Sequence, residues 1–201
     1  MIRKPQTINR LLANREPVRA RDLEAAGVHR MQLTRQVAAG TVVRVGRGLY
    51  ALPGREHLTE HLGMVEVARR APKVVFCLLT ALRFHELTTQ SPFQVWIAIG
   101  NKDHPPRLDY PPLRTVRFAP AALREGVEVH RVANVPLRVT SVARTVADCF
   151  KFRNKIGLDV ALEALRDAWR ARRFTMDELD RYTKLCRVQR VMRPYLEALT
   201  T

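Results

Sequence analysis

The sequence predicts an α+β protein in two parts. A small helix-and-hairpin domain spans residues 1–55. A larger α+β domain over 56–201 carries a mixed or antiparallel sheet and a helical C-terminal part. Three observations predict this. Short helical periods in the first quarter lead into two β-rich runs around Gly46-Arg47-Gly48. Several β runs fill the middle, and long amphipathic periods fill the end. With 201 residues and 46% apolar side chains, the chain is long enough for a sizeable core.

The elements follow in order. Ile8, Leu11 and Leu12 share one face of a short helix over 7–15, ended by Glu16-Pro17. Asp22–Ala26 is a second short helix, stopped by Gly27. His29–Ala39 is a third, stopped by Gly40. Thr41–Val45 and Leu49–Leu52 flank the Gly-Arg-Gly turn as a hairpin, and Pro53-Gly54 closes the unit. Residues 57–71 read as helix up to Pro72, Val74–Cys77 as an apolar run, and Leu78–Leu87 as helix. Phe93–Ile99 is apolar enough for a central strand, and Asn101–Pro112, with four of the 12 prolines, is a loop. Arg114–Ala119, Val127–Val132 and Leu137–Thr140 are further strands. Ser141 caps a helix over 142–152, a strong helix starts at Gly157-Leu158, and Thr175–Glu178 is a capping box. Pro194 is expected to break or kink the last helix.

Helix, helix, glycine turn, helix and basic-tipped hairpin make the layout of a winged helix-turn-helix, whose second motif helix enters the major groove. With Leu33 and Val37 inward, Met31, Thr34, Arg35 and Ala38 point outward and Arg30 and Gln32 lie on the flanks. Arginine suits guanine, glutamine suits adenine, and Thr34 and Met31 suit a thymine methyl. Arg19 and Arg21 before the bracing helix, and Arg44 and Arg47 in the wing, suit phosphates. Charge agrees. The formal net charge is +16, and 29 of the 35 bases are arginine. Residues 1–55 hold eleven bases against three acids. A GC-rich composition explains abundant arginine, but not the scarcity of acids in this stretch.

The segments Gly27-Val28-His29-Arg30 and Val43–Ala51 resemble the AbiEi-type antitoxins of bacterial type IV toxin–antitoxin systems, which act as transcriptional regulators. Thr80–Thr88, Gln94–Ala98 and Thr140–Phe150 carry the resemblance onward, with Arg144-Thr145-Val146-Ala147-Asp148 the most telling part. The resemblance implies a bifunctional, non-enzymatic protein. Its winged helix would bind inverted repeats in its own promoter on double-stranded DNA and repress the operon; a homodimer on DNA is a separate expectation, with the oligomeric state left open by the sequence. Its C-terminal antitoxin-type domain would counteract a nucleotidyltransferase-like toxin without forming a stable complex.

Other chemistry is thinner. His57 and His61 lie at i and i+4 in HLTEH, but Glu60 is misplaced for a metalloprotease and no third ligand is evident, so no metal site is expected. Asp148, Asp159 and Glu163 motivate an alternative: a nuclease or nucleotidyltransferase delivered to nucleic acid by the winged helix. They form no metal-binding nuclease pattern, however, and Arg144 and Asp148 fit a helix ion pair. A third reading is an RNA-binding or protein-interaction module. No phosphate loop occurs, and Ser141 has no nearby base, so no catalytic residue and no cofactor is expected. Cys77, Cys149 and Cys186 read as buried free thiols of a reducing cytoplasm. No membrane span and no secretory signal are expected, so the protein is expected to be cytoplasmic.

Overall fold

The computed structural model describes residues 8–13, 18–46, 48–53, 61–90, 92, 94–108, 110–132 and 134–200. The chain divides into two compact units, residues 1–65 and 66–201. The domain boundary expected at 55/56 lies outside the described residues.

In the first unit the elements are α1 (Ile8–Ala13), β1 (Val18–Arg19), α2 (Ala20–Ala25), α3 (Arg30–Ala38), β2 (Val43–Gly46) and β3 (Leu49–Ala51). Ile8, Leu12, Leu23, Val28, Leu33 and Val42 form its core. The turn between α2 and α3 closes by two backbone hydrogen bonds. Val28 N–H donates to the Leu23 carbonyl at 2.9 Å and Gly27 N–H to that of Glu24 at 3.0 Å. This is a Schellman ending, and Gly27 at φ +90° occupies its left-handed position. Leu23 and Val28, the apolar pair that accompanies such endings, both enter the core. Gly40 ends α3 in the same way, with Thr41 N–H donating to the Gln36 carbonyl.

The three strands form an antiparallel sheet in the order β1-β3-β2. The sequence missed β1, because two residues carry no period. It also started α2 two residues late. Arg19 is therefore a strand residue and Arg21 stands in the first turn of α2, rather than both preceding the helix.

The second sheet orders β6-β5-β4-β8-β7, with α4 (Leu62–Arg70) before β4 (Val75–Phe76) and α5 (Leu78–Phe84) after it. The other strands are β5 (Val95–Gly100), β6 (Leu113–Phe118), β7 (Val127–Val132) and β8 (Val135–Thr140). The sheet is mixed: β5–β6 and β4–β8 are parallel, and β4–β5 and β7–β8 are antiparallel. Strand β8 begins two residues earlier than expected and contains Pro136. The proline is tolerated because β4 reaches β8 only at Val139, so no neighbour on that side asks for its N–H.

Helices α6 (Val142–Lys151), α7 (Arg153–Ile156), α8 (Leu158–Arg170), α9 (Met176–Cys186) and α10 (Gln189–Thr200) complete the chain. α6 is the central one. Val142–Phe150 are all buried, and the Ser141 hydroxyl caps it by accepting the Arg144 N–H. Gly126, just before β7, sits at φ +66°, and a Cβ there would stand 2.6 Å from the Tyr182 ring of α9. Pro194 does not break α10, which runs continuously from Gln189 to Thr200. The proline removes one hydrogen bond, and the apolar residues around it, Met192, Tyr195 and Leu196, hold the helix on the core.

Candidate nucleic-acid interface

Helix α3 presents one anchored face and one open face. Leu33 is 2% exposed in the core and Val37 packs against it. A rotation of 100° per residue then turns the opposite side to solvent. Arg30, Gln32, Thr34, Arg35 and Ala38 are all exposed, as is Met31 at 72%. No acid interrupts this face, because α3 contains none. The Thr34 hydroxyl donates to the Arg30 carbonyl at 3.0 Å, which spends its proton and fixes the rotamer. Its methyl and a lone pair remain for a ligand. Gln36 is used locally: its carbonyl accepts the Thr41 and Val42 N–H groups.

The flanking arginines differ. Arg21 is exposed and stands 3.6 Å from the equally open Asp22, a pair that solvent screens heavily. Arg19 is half-buried and Arg44 exposed, and both already interact within the protein. Register separates these two. Arg19 lies opposite Leu49 and Arg44 opposite Tyr50, so they leave the sheet on opposite faces. Arg47 lies outside the described residues.

The acidic residues that motivated an enzyme do not come together as a site. Asp148 is fully buried and accepts from the Arg144 Nε at 3.0 Å. Cys186 Sγ donates to its other oxygen at 3.1 Å. Burial pushes the Asp148 carboxyl up, and the Arg144 charge opposes that shift. Arg144 also donates to the Glu125 carbonyl at 2.7 Å and lies 5.2 Å from the Phe118 ring centre, while its Nη2 finds no partner among the described residues. Asp159 is exposed and Glu163 half-buried on α8. The ion pair was readable from its spacing, and its complete burial was not. Among the described residues no group of three or more His, Cys, Asp or Glu is placed to hold a metal. His61 is half-buried with a partner of its own, and His57 and Glu60 lie outside the described residues. The three cysteines are free and buried, and burial pushes the Cys186 thiol well up from its ordinary value. Among the described residues no helix is long and apolar enough to cross a membrane.

Residues 6–53 match the family model described as "Transcriptional regulator, AbiEi antitoxin". The matched stretch takes in every element from α1 to β3. No curated protein matches the chain.

Proposed function

We propose that residues 1–55 form a winged helix-turn-helix that binds double-stranded DNA. In this reading the chain is the transcriptional repressor and antitoxin of a type IV toxin–antitoxin system. The observation that carries it is the acid-free open face of α3, with Arg30, Gln32, Thr34 and Arg35 exposed on a helix anchored by Leu33. The match of this segment to a regulator and antitoxin family supports it. α3 enters the major groove, where Arg30 and Arg35 address guanine and Gln32 addresses adenine. Arg21 contacts phosphate, Arg44 and Arg47 supply further backbone contacts, and Arg19, on the sheet face opposite Arg44, does not join them. Two copies bind the inverted repeats of the operon's own promoter. The C-terminal part counteracts a nucleotidyltransferase-like toxin in the cytoplasm without a stable complex, and the protein catalyses no reaction itself.

The test is fluorescence anisotropy with duplexes from the upstream promoter. Arg35→Ala should cost about 1–3 kcal/mol on the best site and relax preference at one base pair. Arg21→Ala should weaken all duplexes alike and reduce the salt slope by about one. Equal binding of all duplexes by the native protein and by Arg35→Ala would overturn the recognition role of α3. Rescue of cells from a neighbouring toxin, without co-purification, tests the antitoxin half.

A further inference from the structure

A pocket of about 430 Å³ opens in the second unit where the chain enters β4 and leaves β5. That volume lies within the range of about 300–1,000 Å³ typical of small-molecule sites. Its floor is apolar: Val74 and Ile99 are 6% and 5% exposed, and Pro106 lies beside them. Its rim carries Lys73, Lys102 and His104. Among the described residues neither ammonium has an acidic partner within ion-pair distance. Among the described lining residues the one carboxylate is Asp103, and its Oδ2 is held by the Gly100 N–H at 2.9 Å.

The walls are held in place before any ligand arrives. Arg138 Nη1 donates to the Lys73 carbonyl at 2.6 Å. Arg117 Nη1 donates to the carbonyls of Gly100 and Asp103 at 2.8 and 3.1 Å, and also to that of Asn101. Two guanidiniums thus brace the backbone on both sides and add positive potential to the same mouth. A pre-formed apolar floor beneath cations that have no acidic partner among the described residues suits a compact organic acid: an apolar body on Val74, Ile99 and Pro106, and an anionic head between Lys73 and Lys102.

We propose that this pocket binds a small organic anion, a carboxylate or phosphate head on a compact apolar body. The proposal is independent of DNA binding by the first unit. Isothermal titration of the full chain with benzoate and with phenyl phosphate tests it. At least one should bind, and which one binds more tightly identifies the head group. Inorganic phosphate and benzyl alcohol, the head and the body alone, should each bind at least about tenfold more weakly than the better probe. Lys73→Glu and Lys102→Glu alter exposed side chains, so the fold should persist by circular dichroism while affinity drops about tenfold or more. No heat from either aryl anion, equal affinity for inorganic phosphate, or binding unaffected by both lysine variants would overturn the site.

Discussion

Arg144 carries a permanent charge into a place with no solvent access, and its neighbours decide what that costs. Asp148, the Glu125 carbonyl and the Phe118 ring compensate it, and Nη2 is left over. Removing one partner should hurt more than removing both. Asp148→Asn is expected to lose about 3–5 kcal/mol, whereas Arg144→Met with Asp148→Leu should lose far less. Urea titrations of the three proteins check this, and a double variant weaker than the single one would refute it. His85 offers a second test. Its buried Nε2 lies 2.7 Å from the Thr140 carbonyl, so Nε2 carries the proton and donates. Burial holds its pKa below the usual value, with the nearby His130 and Arg173 acting the same way and the Thr140 bond and Glu128 opposing. The unfolded chain therefore takes up a proton first, near pH 6.5. Stability from this group is complete above that value and falls as pH drops toward the lowered folded pKa. Melting temperatures from pH 8 to 5 should decline, and more shallowly in His85→Gln.

Helix endings divide the elements into those a reader of the sequence finds and those that stay hidden. Gly27 and Gly40 announce the ends of α2 and α3, and both take the left-handed conformation that glycine permits. Glu86, Arg172 and Arg187 do the same work for α5, α8 and α9 at φ of 59°, 51° and 58°, without the residue type that would mark them. The bonds show the shared pattern: Leu87 N–H to Leu82, Arg173 N–H to Ala168 and Val188 N–H to Thr183. Arg187→Gly should therefore raise stability by about 1 kcal/mol, a melting shift of about 2–4 °C. Gly27→Ala should lower it by a similar amount, because an alanine is strained at φ +90°, and on the proposed reading it should also weaken duplex binding. The open face of α3 was legible because Leu33 and Val37 mark the buried side locally. The faces of Arg19 and Arg44 were not legible, because each depends on pairing with β3 across intervening chain. The start of β8 was obscured by Pro136, a residue that a strand tolerates only where a neighbour is missing.

Charge belongs to the whole molecule. A formal +16 is shared by both units, since 24 of the 35 bases lie beyond residue 65. On the proposed reading, association with duplex DNA should be fast at low salt and slow steeply as salt rises. Stopped-flow measurements from 50 to 200 mM salt should show that steepness largely preserved in Arg35→Ala, which alters one contact and not the field. Strand order in the second unit is likewise a property of the whole, set by crossings that no local pattern encodes. It gives β4 an unusual position. Phe76 alone faces both Ile97 of β5 and Val139 of β8, so β6-β5 on one side and β8-β7 on the other meet through Val75–Phe76. Mechanically these are two leaves bound by a spine two residues wide. A pulling experiment that loads the leaves in opposite directions should tear the molecule at that seam first.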